Sequence, residues 1–427
     1  MNPLAIAAQG KGVRGMFKRA ATIQGHYGAT TAKMDRLLTQ FADLLHEYAA
    51  CATFPITAVV MLRNKGIIEK YQGRSIEFAV HGYYHIDQSR LSFEKQYEQF
   101  QRARELAQAR GIECFGFRSP YLRSNEQTLS AIRQAGYLYD SSQGLTWDVA
   151  SHVETPAYRH VLGFYDTVPA SVYPSLPRAD RGLIRIPYCL PDDEAFIDRF
   201  GFKDDKPMSD VWKSLWRATY ERGELCTLGL HPERLALCGQ ALRETLQFAH
   251  ERKPRVWFAR LDEIARWWQA RTDASVSISE YQNQEFKIDV KGPPGTTLLA
   301  RNVILMSPSA YWDETYCRIE GNSVCVKSSK RPFIGLSARS ASYLGSFLRQ
   351  QGYIVEITED KRMHSLWFDR PEFTYEDERA VLTEIEGSTV PLVRLGRWFD
   401  GAKSALCVTG DIDALTVWDY GLRILGK

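Results

Sequence analysis

The sequence has no cysteine pair with metal-ligand spacing, no long apolar run and no block of like charge. Its eight cysteines are scattered without a Cys-x-x-Cys pair, which argues against both a disulfide framework and a cysteine-ligated zinc module. The chain nowhere reaches the roughly 18 consecutive apolar residues that a transmembrane helix needs. Its 54 basic and 51 acidic residues are mixed along the chain, so no nucleic-acid partner is expected.

The N-terminal region also lacks a recognisable export signal. Residues 3–8 form a short apolar patch that is too short for the apolar core of a signal peptide. We therefore expect a cytoplasmic location. With 427 residues, of which 44% are hydrophobic, the chain can bury a large core, and its length favours two or three domains.

Helix-like and strand-like patterns alternate through the first 272 residues. Residues 30–50 carry apolar side chains at helical spacing, and they lead into a strand-like run at 52–61. Such alternation predicts parallel βαβ units in a barrel or an open sheet. The further predicted strands are 75–80, 114–117, 137–140, 182–187 and 224–230, and the further helices are 92–110, 125–135, 207–222, 234–251 and 261–270.

The pattern changes near Thr272. Short alternating runs between Gly, Pro and Asn turns predict a β-rich region to about residue 330. A helix at 338–351, a strand at 353–357, a helix at 376–386 and a buried strand at 404–410 are predicted after it. We expect three segments: 1–272, a smaller accessory module at 273–397, and a last strand in 398–427 that completes the first segment.

Four predicted strand ends carry side chains that suit a metal hydrolase. His81 and His85 follow the strand at 75–80, and two imidazoles at this spacing are either half of a metal site or ordinary histidines. The other three ends are Arg118-Ser-Pro-Tyr121, Leu228-Gly-Leu-His231-Pro232, and the pair Asp411 and Asp413. Since the carboxyl ends of parallel strands meet at one edge of a sheet, the four groups are expected to form one site.

Together these motifs resemble those of the polysaccharide deacetylase family, the NodB-homology amidases of the carbohydrate esterase 4 type. That family carries an aspartate pair, a histidine pair, Arg-x-Pro-Tyr and a late Leu-x-x-His-Pro. The aspartate pair usually opens the domain, whereas here it comes last. The resemblance covers about residues 12–272 and 398–427. It implies an α/β fold, a distorted (β/α) barrel that is circularly permuted and interrupted by a smaller β-rich, then α+β, module.

The resemblance also implies a role for each matching residue. Asp413, His81 and His85 would hold a divalent ion, and two imidazoles with one carboxylate leave positions open for catalysis. Asp411, held by Arg118, would be the general base. His231 would protonate the departing amine, and the backbone N–H of Tyr121 would stabilise the oxyanion. Zinc is the expected ion, with cobalt, nickel, manganese and iron as alternatives.

The substrate contacts are predicted less directly. Asp148 is favoured as the carboxylate that orients Arg118, and Asp192 with Asp193 is the rival pair. The full set of expected substrate-binding residues is Pro120, Leu230, Trp147, Asp148, Asp192 and Asp193.

The predicted function is removal of the N-acetyl group of an amino sugar in a polysaccharide, an oligosaccharide or a lipid-linked glycan, the last with peripheral contact at a membrane. One alternative is a metal-dependent amidase for a non-sugar amide, a cyclic imide or ureide, or a formamido sugar on a lipid carrier. A non-haem iron oxygenase would use similar ligands, but its all-β scaffold is not predicted here. A non-catalytic carbohydrate-binding protein would use the accessory aromatics Tyr281, Tyr311, Trp312 and Tyr316.

Overall fold

A computed structural model describes residues 27–73 and 75–426. The first 26 positions of the predicted first segment, including the apolar patch at 3–8, lie outside the described residues. In the first segment the strands are short and the longest are fully buried, as parallel strands covered on both faces are. They are β1 (Ala52–Ile56), β2 (Ile76–Val80), β3 (Gly116–Phe117), β4 (Tyr139–Asp140), β5 (Gly144–Thr146), β6 (Val168–Pro169), β7 (Arg178–Asp180), β8 (Leu183–Arg185), β9 (Tyr188–Leu190), β10 (Leu225–Gly229) and β11 (Val256–Phe258).

The helices between these strands are amphipathic and turn their apolar faces to the sheet. The first helix, for example, buries Met34, Leu38, Phe41 and Leu45, which recur every three or four residues. The helices are α1 (Ala32–Glu47), α2 (Ala58–Arg63), α3 (Lys65–Tyr71), α4 (Phe93–Gln108), α5 (Glu126–Gln134), α6 (Pro156–Phe164), α7 (Asp205–Glu221), α8 (Leu235–His250) and α9 (Leu261–Arg271).

The region predicted as an accessory module folds into three small sheets with two helices. Its elements are β12 (Ser275–Tyr281), β13 (Glu285–Lys291), β14 (Leu298–Arg301), β15 (Ile304–Leu305), β16 (Ser309–Tyr311), β17 (Cys317–Ile319), β18 (Ser323–Lys327), β19 (Arg331–Leu336), α10 (Ser342–Gln350), β20 (Val355–Ile357), β21 (His364–Phe368), α11 (Glu378–Gly387) and β22 (Leu392–Leu395). The first two sheets are antiparallel, in the orders β12-β13-β18-β15 and β16-β17-β14-β22. The third is parallel, with β19 between β20 and β21.

The chain then returns to the first segment with β23 (Ser404–Thr409) and α12 (Val417–Ile424). The main sheet has the strand order β10-β23-β1-β2-β3-β4-β8-β7, and β11 also pairs with β23. β23 is parallel to both central neighbours, with Leu228 opposite Val408 and Thr53 opposite Thr409. The α/β class predicted from the sequence is therefore confirmed, and the last strand of the chain lies inside this sheet, between β10 and β1.

One sequence prediction is wrong at the end of the first strand. Residues 52–61 were expected to be extended, but the strand ends at Ile56 and a helix begins at Ala58. The parallel ladder between β1 and β2 stops at Ile56 opposite Val80. Beyond that point the backbone N–H of Ala58 donates to the carbonyl of Gly82 in the loop after β2. The β-branched residues of this helix favour a strand locally, but no partner strand continues beside them.

The accessory region shares a hydrophobic core with the main sheet. Trp267 and Trp268 of α9 are buried in one cluster with Trp398 and with apolar residues of α10 and α11. Arginines also join the two parts. Arg397 donates to the carbonyl of Gly223, just after α7, and Arg271 donates to the carbonyl of Gln350. The domain boundaries at 272 and 397 stay a prediction.

The four aromatic residues considered as a sugar platform do not share one surface. Tyr281 and Tyr311 are exposed, but they lie on different sheets. Tyr316 is buried and donates to Glu386, and the indole N–H of Trp312 donates to the carbonyl of Gly401.

Among the helices that the structure describes, none combines the length and the apolar composition of a membrane-spanning segment.

Candidate active site

The four predicted strand ends meet at the carboxyl edge of the main sheet. His81 follows β2, Arg118 follows β3, His231 follows β10, and the two aspartates follow β23. The segments after β10 and β23 pack closely through their backbones. The N–H of Leu230 donates to the carbonyl of Thr409, and a Cβ on Gly410 would lie 2.0 Å from the Leu230 carbonyl oxygen. Only glycine fits at position 410, because the backbone of Leu230, just after β10, leaves no room for a side chain there. This close packing fixes the turn that precedes Asp411.

His81, His85 and Asp413 form a candidate metal centre. Their ligand atoms all lie within 4.8 Å of one another. Asp413 Oδ1 is 3.2 Å from His85 Nε2 and 3.9 Å from His81 Nε2. This oxygen is buried and has no hydrogen-bond partner among the described residues. An orphaned carboxylate oxygen facing two imidazole nitrogens fits a divalent cation, since burial without such a partner is costly.

The surroundings of His81 and His85 favour the neutral form of both imidazole rings. His81 Nδ1 lies 2.9 Å from the backbone carbonyl of Arg118, so the ring donates there and turns the lone pair of Nε2 toward the carboxylates. Burial is the largest effect on both rings, and it lowers the pKa of His81. Burial and then the positive charge of Arg423 lower the pKa of His85 to about 3. Metals bind the neutral imidazole, which is the form that these pKa values favour.

Asp411 is paired with Arg118. The guanidinium donates to Asp411 Oδ1 at 2.9 Å, and it is fixed by two further hydrogen bonds, to the carbonyl and to the hydroxyl of Ser141. Burial favours the neutral form of Asp411, but His81 and Arg118 outweigh it and lower the pKa of the carboxyl group. Asp411 Oδ2 also lies 3.4 Å from His81 Nε2. An ionised carboxylate thus lies directly beside the candidate metal centre.

His231 is oriented by Asp193. The ring nitrogen Nδ1 lies 2.8 Å from Asp193 Oδ1, and the backbone N–H of His231 donates to Oδ2 at 3.0 Å. Burial opposes protonation of His231, but the Asp193 carboxylate outweighs it and raises the pKa of His231 well above its ordinary value. The protonated ring can therefore act as a general acid at neutral pH.

Tyr121 lies beside His85. Its backbone is left-handed, with φ of 60° and ψ of 17°, in the turn that begins at the buried Pro120. The ring of Tyr121 contacts that of His85, with centroids 4.6 Å apart, and that of Phe164, with centroids 5.8 Å apart. Such backbone conformations are uncommon for a non-glycine residue and often occur at functional sites.

The predicted substrate residues divide into two groups. Asp192 and Asp193 lie beside the site: Asp192 accepts from the Tyr188 hydroxyl, and Tyr188 packs against Arg118. Asp148, in contrast, is exposed, and the hydrogen bonds described for Arg118 go to Asp411 and Ser141. The structure therefore does not support Asp148 as the residue that orients Arg118, because the Asp148 side chain is exposed to solvent. Trp147 is buried with Arg222 over its ring, and Leu230 is buried as well.

Sequence reasoning missed three further residues at this site. Arg423 of α12 donates to Asp413 Oδ2 at 2.8 Å. Ser141 anchors Arg118, and Glu233 is a buried carboxylate whose Oε1 accepts from the Tyr27 hydroxyl. The Glu233 side chain follows His231 by two positions, which is the one signal in the sequence that could have indicated it. Arg423 has no such signal, since only the fold of α12 brings it back to Asp413.

Candidate metal ligands flanked by a paired carboxylate and a paired histidine are the arrangement of a hydrolase site. Comparison with known proteins agrees. A family model described as polysaccharide deacetylase matches residues 31–139, a range that contains His81, His85 and Arg118. The match confirms the predicted resemblance over the part of the chain that carries the histidine pair and Arg118.

Individual relatives are distant. A peptidoglycan deacetylase-like protein, FGM2, of Gibberella zeae is 23% identical over 233 residues, which is 50% of this chain and 66% of that protein, just under two thirds of its length. A solved structure of a probable polysaccharide deacetylase from Pseudomonas aeruginosa is 22% identical, with 60% of this chain and 78% of that chain covered and a TM-score of 0.45. The structure of an allantoinase, PuuE, is 20% identical, with 55% and 72% covered and a TM-score of 0.44.

Proposed function

We propose that this protein is a metal-dependent deacetylase that hydrolyses the N-acetyl group of an amino sugar within an oligosaccharide or a polysaccharide. The observation that supports it best is the buried Oδ1 of Asp413, which lies between the Nε2 atoms of His81 and His85 and has no hydrogen-bond partner in the part of the chain that the structure describes. When bound there, a divalent ion supplies a Lewis acid for the amide carbonyl and makes a neighbouring water more acidic. Zinc suits two imidazoles and one carboxylate, and the other divalent ions named above compete with it.

The chain's own residues perform the proton transfers. Asp411 is held ionised beside the centre by Arg118, and it accepts the proton of the attacking water. His231 is held protonated by Asp193, and it donates a proton to the departing amine nitrogen. The backbone N–H of Tyr121 stabilises the negative charge on the carbonyl oxygen, a contribution that typically amounts to about 3 kcal/mol.

A polar cleft next to the site suits the neighbouring sugar units. It has a volume of about 360 Å³, and Phe164 joins it to the site through the ring of Tyr121. Hydroxyl, amide, guanidinium and carboxylate groups around one aromatic ring are the partners that a sugar requires. The lining residues are Ser89, Arg123, Ser124, Asn125, Gly163, Phe164 and Asp166.

The unusual motif order is explained by circular permutation of the first segment. In support, β23 lies between β10 and β1 in the sheet, although the accessory region separates β10 from β23 along the chain. The accessory region is then an insertion between α9 and β23. A cytoplasmic location and contact with a lipid-linked glycan stay predictions.

Acetate release tests the proposal. Purified protein is loaded with zinc and incubated with N-acetylated amino-sugar oligomers, with nucleotide and lipid-linked amino sugars, and with acyclic amides and cyclic ureides. We expect acetate from an amino-sugar substrate, and none from the variant Asp411→Asn, which leaves the three candidate ligands in place. Ring opening of a ureide without release of acetate from any sugar would instead establish the non-sugar alternative.

A further inference from the structure

Arg423 contacts two of the three candidate metal ligands. Its guanidinium donates to Asp413 Oδ2 at 2.8 Å, and its second terminal nitrogen lies 3.1 Å from His85 Nε2 and 3.2 Å from Nδ1. Nearly equal distances to both ring nitrogens place this nitrogen over the face of the imidazole. A fixed positive charge therefore lies within the immediate surroundings of the candidate metal centre.

The helix that carries Arg423 is firmly anchored. At the start of α12, the buried carboxylate of Asp419 accepts from Arg63 at 3.4 Å and from Asn64 at 3.1 Å. Near its end, the Arg423 guanidinium lies over the ring of Tyr420, which in turn contacts the ring of Tyr27. These contacts hold the arginine at the site, so its position is a property of the fold rather than of a mobile side chain.

Asp411 and Asp413 each have an arginine partner before any ion is bound. Asp411 is paired with Arg118 and Asp413 is paired with Arg423, at 2.9 Å and 2.8 Å. A divalent cation between the histidines and Asp413 would add two positive charges beside the Arg423 guanidinium. The two positive groups would repel each other across a few Å of partly buried space. The hydrogen bond from Arg423 also makes the Asp413 carboxylate a weaker ligand.

We propose that Arg423 is a built-in counter-ion of the metal centre, which neutralises Asp413 in the metal-free protein and competes with the bound ion for its carboxylate. The inference rests on the proposed metal site at His81, His85 and Asp413. Arg423 is in this view a positioning residue with two effects of opposite direction: it stabilises the fold without metal, and it limits the affinity for metal.

The test separates charge from shape with three substitutions. Arg423→Gln and Arg423→Met remove the charge, and Arg423→Lys keeps it without the forked geometry. Zinc affinity is measured by competition with a chromophoric chelator. The rise of the melting temperature along a zinc series gives the same affinity even for a variant that is unfolded in EDTA. The matched control is Arg63→Gln, which loosens the same helix but does not contact the ligands.

We expect both uncharged variants to melt at lower temperature in EDTA and to bind zinc more tightly, by about tenfold. Arg423→Lys is expected to bind zinc as the wild type does, within about threefold. Arg63→Gln is expected to lower the melting temperature without changing the zinc affinity. Uncharged variants that bind zinc equally or more weakly would overturn the competition. If the wild type and Asp413→Asn bind zinc equally, the metal site itself is wrong, and the two failures are thus distinguishable.

Discussion

Arg118 donates a hydrogen bond of 2.9 Å to Asp411, a residue that lies 293 positions later in the chain. The bond joins the turn after β3 to the turn after the last strand, and Arg118 itself is fully buried. A buried arginine with one carboxylate partner contributes to two properties at once. It keeps Asp411 ionised, and it ties the C-terminal strand into the site.

Replacing Arg118 by Gln therefore tests both properties. Without the guanidinium the pKa of Asp411 rises, since Arg118 helps to lower it, and the acid limb of kcat/KM moves to higher pH. Loss of one partner of a buried ion pair also lowers the free energy of unfolding by about 3–5 kcal/mol. Measurements are the pH–rate profile and denaturant unfolding. The control is Ser141→Ala, which removes one hydrogen bond of the same arginine and should leave the acid limb of kcat/KM in place. If the acid limb does not move in Arg118→Gln either, Asp411 is excluded as the base.

The candidate ligands are tested by the metal content of the protein. We expect His85→Ala and Asp413→Asn each to lose stoichiometric zinc after dialysis, because only two of the three ligand atoms remain. His231→Asn is the matched control, since it removes a site histidine outside the ligand set and should lose activity but keep zinc. Elemental analysis gives the zinc content and circular dichroism checks the fold. Full zinc occupancy in Asp413→Asn would mean that the ion is bound elsewhere.

The general acid is tested through Asp193. Its carboxylate raises the pKa of His231, so the substitution Asp193→Asn lowers that pKa. The protonated ring is the active form, and activity is lost as the pH rises through its pKa. The alkaline limb of the pH–rate profile is therefore expected to move to lower pH, with kcat reduced about a hundredfold at neutral pH. Asp192→Asn serves as the control, because Asp192 bonds to Tyr188 and to the N–H of Ala195 instead. Equal shifts in both variants would argue against a specific role of Asp193.

The sequence predicted the site residues that directly follow strands better than the site residues that lie on longer loops or on helices. His81, Arg118, His231 and Asp411 each follow a buried strand, and parallel strands bring such positions to one edge. The choice between Asp148 and the pair Asp192 and Asp193 depended on how two loops turn, and no pattern of apolar residues determines that. The helix at Ala58 replaced an expected strand because the ladder ended, which is a tertiary effect. Arg423 depends on the path of α12, which local sequence does not reveal.

Glu77 gives the fold a pH dependence that is separate from catalysis. This residue of β2 is buried and accepts from the hydroxyls of Thr53 and Tyr139 and from the N–H of Asp262. Burial, and then the nearby carboxylate of Asp262, raise the pKa of Glu77 from 4.5 to about 8. The folded state thus holds a proton that the unfolded chain has released, and the free energy of unfolding falls as the pH rises from about 4.5 to about 8.

The variant Glu77→Gln keeps a neutral side chain of the same shape at every pH. We expect Glu77→Gln to remove this pH-dependent loss of stability, which is on the order of 5 kcal/mol across the interval. The variant is then the more stable protein at the alkaline end. Urea unfolding at a series of pH values measures the difference. Parallel curves for the wild type and Glu77→Gln would show that Glu77 is ionised in the folded protein at neutral pH.

The cleft beyond Tyr121 predicts a preference for longer substrates. Phe164 forms the apolar wall of this cleft. We therefore expect Phe164→Ala to lower kcat/KM for an N-acetylated tetramer by about tenfold. A single N-acetylated sugar is too short to reach the cleft, and its kcat/KM should not change. Because both substrates use the same catalytic groups, the ratio of their kcat/KM values isolates binding in the cleft. Tyr311→Ala is the control, an exposed aromatic residue of the accessory region that should leave the ratio unchanged. A ratio altered by Tyr311→Ala and not by Phe164→Ala would assign the extended substrate to the accessory surface.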